Sequence, residues 1–192
     1  MKRQILSLAA ALALTASLPA LAQTEATPDG GTAMGTNAMD TNQAAMPAPT
    51  AVKTAAAFVP MAAAGNSFEI ESSNLAVTKS KNEAVVAFAK RMLEDHSTAA
   101  MKMSEAVDKA GNGLTVPTGM DADHQEMLNQ LSAADETEFD AQYIAMQKTA
   151  HAEAVTLFTA YSENGEDGPV KTFASETLPA LKEHKQMVDG MK

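Results

Sequence analysis

The chain has 192 residues, 45% of them hydrophobic, with 24 acidic against 14 basic residues, a formal net charge of -10 and no cysteine. An acidic excess of this size disfavours nucleic acid and anionic membrane surfaces as partners, and otherwise speaks to solubility. The lack of thiols excludes a disulfide framework, a thiolate metal site and a lipoprotein anchor.

The first predicted element is a leader. Lys2 and Arg3 precede an apolar run from Ile5 to Leu14, and Ala20-Leu21-Ala22 precede Gln23, which are the three parts of a secretory signal peptide. A transmembrane helix needs roughly 20 predominantly apolar residues, and here Ser7, Thr15, Ser17 and Pro19 interrupt the run. The expectation is cleavage near Ala22 and a periplasmic or secreted protein. Loss of residues 1–22 removes Lys2 and Arg3 and no acid, so the charge goes from -10 to -12.

Residues 23–57 are built from Ala, Thr, Gly, Pro, Asn and Met without an aromatic side chain. Such a composition buries too little apolar surface to offset its ordering entropy, and a disordered linker is predicted. Met34, Met39 and Met46 carry thioethers that suit Cu(I), but with no histidine nearby they read as spacer composition.

From Phe58 the apolar residues recur at helical spacing, and no stretch alternates as a strand would. Long helices are predicted over about 59–80, 82–110, 134–162 and 169–191, with a short one near 121–131. AGNGLTVPTG breaks the chain after the second, and Asp167-Gly168-Pro169 stops one helix and starts the next. Pro179 falls inside the last and predicts a kink. Four long helices in residues 58–192 fit one all-α four-helix bundle.

Successive residues of a helix are turned by 100°, which assigns each to a face. On the second long helix Val85, Phe88, Ala89, Met92, Met103 and Val107 form an apolar stripe with His96 near its centre, while Glu94 and Asp95 point away. On the third, Phe139, Tyr143, Met146, Ala150 and Leu157 form a band that includes His151. On the last, Val170, Phe173, Leu181 and Val188 include His184. The first has no histidine, but its stripe of Met61, Gly65, Phe68, Ser72 and Ala76 carries Glu69 on its margin.

Heights agree as well. Glu69 lies about 13 residues before Asn82 and His96 about 14 after it, so antiparallel packing puts them at one level. His151 lies about 11 residues before Ser162 and His184 about 15 after Pro169, a difference of about one turn at 1.5 Å per residue. All four meet at mid-bundle whether the second and third long helices are joined up-and-down or by a crossover. Such a layer suits a divalent transition metal, a metal-free polar network that fixes helix register, or catalysis without metal. Each histidine taken singly is more often a hydrogen-bonded core residue.

FVPMAAAGNSFEIESSNLA, FAKRMLEDHS, EFDAQYIAMQKTAHAEAVTLF and FASETLPALKEH together resemble the bacterial family of domain of unknown function 4142, over about residues 58–190. The most specific pieces are Asp95-His96, Phe139-Asp140 followed by His151, and Leu178-Pro179 followed by His184. The resemblance implies a ferritin-like bundle and supplies no activity or ligand; members are often labelled predicted outer membrane proteins. Ferritin-like di-iron sites use a Glu-x-x-His from each of two helices. The residues three before His96, His151 and His184 are Leu93, Lys148 and Leu181, so that motif is absent, and no alternating strands suggest a membrane barrel.

The leading expectation is a non-enzymatic, exported bundle, tied to metal handling or envelope stress, with Glu69, His96, His151 and His184 as metal ligands. A redox or hydrolytic metalloenzyme using the same residues with an open coordination position is the alternative, and an interaction module tethered by the linker is a third. No nucleophile motif or phosphate-binding glycine loop supports another enzyme class.

Overall fold

A computed structural model describes residues 47–192; the predicted signal peptide and residues 23–46 of the predicted linker lie outside the described residues. Among these the chain is all-helical. A single 3-10 turn, Pro49–Ala51, leads into α1 (Ala55–Lys79), α2 (Glu83–Ala110), α3 (Ala122–Ala133), α4 (Phe139–Asn164) and α5 (Pro169–Asp189). No helix among the described residues is long and apolar enough to cross a membrane.

Local chemistry sets the boundaries. Thr54, Asn82 and Asp121 cap α1, α2 and α3 by accepting from the backbone N–H of Ala57, Ala84 and His124, which satisfies donors that have no partner in the first turn. Gly111 ends α2 with φ 61°, a left-handed conformation that favours glycine. At the end of α4, a Cβ on Gly165 would lie 2.5 Å from both the ring and the carbonyl of Tyr161, so only glycine fits there. Pro60 and Pro179 sit inside α1 and α5, each removing one helical hydrogen bond.

Among the described residues, core packing includes positions upstream of Phe58. Val52 and Ala55 are buried in the core, the Ala55 N–H donates to Glu166 Oε1 at 2.6 Å, and the Glu166 N–H donates to the Lys53 carbonyl at 2.9 Å. Val52 anchors a stretch whose own composition is poor in core formers, and the partner that holds it lies more than a hundred residues away, out of reach of a local reading.

The four long helices pair around a ring: α1 packs on α2 and α4, and α5 packs on α2 and α4. Their directions follow from two apolar clusters. One holds Phe58, Val107, Phe158, Tyr161 and Phe173; the other holds Ala76, Phe88, Met92, Tyr143 and Val188. Helices α1 and α5 therefore run from the first cluster to the second, while α2 and α4 run from the second to the first. Every neighbouring pair in the ring is antiparallel, and α2 and α4 are parallel to each other. The segment between them, left open by the sequence, is thus a crossover that travels the length of the helices, with α3 laid against α1 and α4.

Candidate metal centre

Between the two apolar clusters each long helix places polar residues in the interior. Glu69, Ser72 and Ser73 come from α1, His96 from α2, Gln147 and His151 from α4, and His184 from α5, all buried. On every helix these positions separate residues of one cluster from residues of the other, so the four helices share a polar layer at mid-length.

Three of the four expected residues meet. One ring nitrogen from each of His96, His151 and His184 lies within 4.8 Å of one from each of the others, and the ring centroids are 5.5 to 5.7 Å apart. Glu69 stands outside that set. Its Oε1 lies 3.3 Å from His151 Nδ1, which places it behind this histidine rather than among the converging nitrogens.

Each ring is oriented from outside by an acceptor. His96 Nδ1–H donates to Asn66 Oδ1 at 3.0 Å, His151 Nδ1–H to the Gln147 carbonyl at 3.0 Å, and His184 Nε2–H to Asp95 Oδ2 at 2.7 Å. The second nitrogen of each ring, His96 Nε2, His151 Nε2 and His184 Nδ1, is buried without a hydrogen-bond partner among the described residues. With one nitrogen carrying the proton, the other carries a lone pair. Rings held in this way leave three buried ring nitrogens without a hydrogen-bond partner among the described residues.

Electrostatics disfavour the charged form of His96 and His184. Burial pushes His96 well below the ordinary histidine value of 6.5, with His151 and His184 adding repulsion. Burial also lowers His184, against the opposing pull of Asp95. Burial raises Glu69 above the ordinary carboxyl value, partly offset by His151 and by the Gln147 side chain. Asp95 differs: burial would raise it, but hydrogen bonds from His184 and Arg91 outweigh that and hold it low. Arg91 reaches Asp95 at 3.3 Å and Glu183 at 2.9 Å, clasping α2 to α5 beside the layer.

Sequence periodicity misses Asn66, Asp95 and Gln147. Asp95 does leave the α2 stripe, as its heading implies, but the seam with α5 lies on that side and brings His184 to it. Its signal is a charge pattern, Arg91 four residues before Asp95 with Glu183 beside His184. Gln147 precedes His151 by one turn and donates from Nε2 to Ser72 Oγ at 3.0 Å. The fourth histidine, His124, is on α3, where Nδ1 pairs with Asp121 at 2.8 Å; it does not join the three.

The family model for the domain of unknown function DUF4142 matches residues 39–191, and the chain belongs to that family. Comparison with curated proteins and with solved structures finds no match.

Proposed function

We propose that this DUF4142 protein is an exported, ferritin-like four-helix bundle that binds one divalent transition metal ion through His96, His151 and His184, in a binding rather than a catalytic role. The carrying observation is that three buried ring nitrogens have no hydrogen-bond partner among the described residues, while the opposite nitrogen of each ring is held by an acceptor. A network kept only for structure would pair its polar atoms, since an unsatisfied buried group costs about 1–3 kcal/mol. A metal site has this pattern instead, with outer acceptors fixing tautomer and ring orientation.

The donors decide the class of ion. Three imidazoles with no inner carboxylate suit zinc, copper, nickel or iron rather than magnesium or calcium. Such ions hold imidazole nitrogens at about 2.0–2.1 Å, which in a tetrahedral arrangement spaces the donors by about 3.3 Å, so small rotations of the three rings suffice. Glu69 acts from behind His151, not as a ligand.

A binding role is favoured by burial. The three histidines are at most 5% exposed, and the surface groove of about 580 Å³ beside Asp135 and Glu138 is lined by none of them. The ferritin-like assignment is supported by the closed ring of antiparallel neighbours with one long crossover. Export is supported by the leader sequence and is tested by amino-terminal sequencing of the extracytoplasmic protein, which should begin at Gln23.

The metal reading is tested by elemental analysis of protein purified without an affinity tag and by titration with zinc, copper and iron. Saturation at one ion per chain is expected, with a rise in melting temperature that His96→Ala abolishes. An unshifted wild-type melt with all three metals would end the reading.

A further inference from the structure

Of the three outer acceptors, Asp95 is chemically distinct. The partner of His151 is a main-chain carbonyl, which no side-chain substitution alters. The partner of His96 is the amide of Asn66, which by rotation can accept or donate. Asp95 presents a carboxylate, which accepts only, and Arg91 Nε fixes the same Oδ2 that meets His184 Nε2. Its ring nitrogen also differs: Asp95 takes Nε2 of His184, whereas the other two rings are held by Nδ1.

We infer that Asp95 is a positioning residue that locks His184 in the Nε2–H tautomer, so that the centre is assembled from two Nε2 donors, of His96 and His151, and one Nδ1 donor, of His184. The assignment of donors rests on the metal reading; the tautomer lock does not. A proton on His184 Nδ1 would point into the layer where a lone pair is needed, and Nε2 would then face a carboxylate with nothing to donate. An acidic partner that holds a histidine in one tautomer is a known way of setting which nitrogen is available for chemistry.

Asp95→Ala tests this by removing the shared acceptor, while Arg91 keeps its contact with Glu183. With no carboxylate to receive a proton from Nε2, the His184 proton is free to move to Nδ1, and the third metal donor is then lost. The experiment is two-bond ¹H–¹⁵N correlation of the imidazoles in the full chain near neutral pH, without metal and with zinc. Metal-free wild type should show His184 protonated at Nε2, and His96 and His151 at Nδ1. With zinc, the shift changes should fall on His184 Nδ1 and on Nε2 of the other two. Asp95→Ala should let the His184 proton populate Nδ1 and weaken zinc binding about 10–100-fold, with the helical circular dichroism unchanged.

If wild type binds no zinc but shows the tautomers given, the metal reading fails and the Asp95 lock stands. If zinc binds through His184 Nε2, or if Asp95→Ala changes neither tautomer nor affinity, this inference is overturned while the metal reading survives. Should Asp95→Ala fold poorly, Arg91→Gln frees Asp95 from its clasp and leaves its carboxylate in place. The lock then predicts an unchanged His184 tautomer, and a proton on Nδ1 in that variant would refute it.

Discussion

His96→Leu separates a metal centre from a structural network by its effect on stability with and without zinc. His96 is 5% exposed, with Nδ1 bonded to Asn66 and Nε2 unpartnered. In metal-free protein the substitution removes an unsatisfied buried nitrogen, a gain of about 1–3 kcal/mol, and loses one hydrogen bond to the half-buried Asn66, a loss of about 0.5–1.5 kcal/mol. Reshaping at similar volume costs less than about 1.5 kcal/mol. The balance lies between about -2 and +2.5 kcal/mol and is centred near zero, which at about 2–4 °C per kcal/mol keeps the metal-free melting temperature from falling by more than about 8 °C. Zinc at a hundredfold excess over its Kd stabilises wild type by about 2.7 kcal/mol, or about 5–11 °C, and leaves the variant unmoved. Scanning calorimetry with and without zinc reads both numbers. A metal-free melting temperature lowered by more than about 8 °C in His96→Leu, together with a wild type that ignores zinc, would refute the reasoning and return the layer to a register-fixing role.

Acid should destabilise the metal-free protein. His96 and His184 are held below 6.5 in the fold, so the unfolded chain takes up protons first and stability is lost as pH falls below about 6.5. Glu69 is raised above 4.5 and works oppositely, losing stability as pH rises through its folded value; two histidines against one carboxyl leave a net acid loss, and urea melts flat between about pH 7 and pH 5.5 would contradict it. Tyr143→Phe should cost about 1–3 kcal/mol by orphaning the buried Ser73 hydroxyl, which Tyr143 meets at 2.9 Å. Adding Ser73→Ala should restore part of the loss, and additive chemical-denaturation values would argue against the pairing. A chain begun at Phe58 loses the burial of Val52 and the Ala55 to Glu166 bond, about 3–5 kcal/mol in all, so it should melt about 10 °C below one begun at Ala44; equal melts would show that the upstream stretch contributes nothing.

The long helices were legible because their apolar residues recur at a helical period and their ends carry strong signals, Asn82, Gly111 and Gly168-Pro169 among them. The layer was legible for a related reason. A histidine inside an apolar stripe breaks the pattern, and three such breaks at equal heights constrain one another. What periodicity cannot supply is lateral: which side of a helix meets which neighbour. Asp95 was read as turned away because a stripe defines one centre, whereas a helix with two neighbours in a ring has seams on both flanks, and Asp95 lies on the seam with α5. Glu69 was on the correct level, but its place behind His151 depends on how far α1 is rotated, which its run of Ala62, Ala63 and Ala64 leaves undefined. The crossover between α2 and α4 was open because heights at mid-length are the same in either direction.

Charge gives the last step. A dication among three neutral imidazoles in a buried layer would carry an uncompensated charge, which a low-dielectric interior disfavours strongly. Two carboxylates lie just behind the rings, Asp95 at His184 and Glu69 at His151, on opposite sides of the ring of helices. They are close enough to offset the ion and, lying behind the rings, orient them rather than compete for it. Among the described residues, three ring nitrogens of the layer and both oxygens of the buried Glu69 lack a hydrogen bond of good geometry. These are the groups that a cation at the centre would satisfy, and the proposed metal site rests on that complementarity.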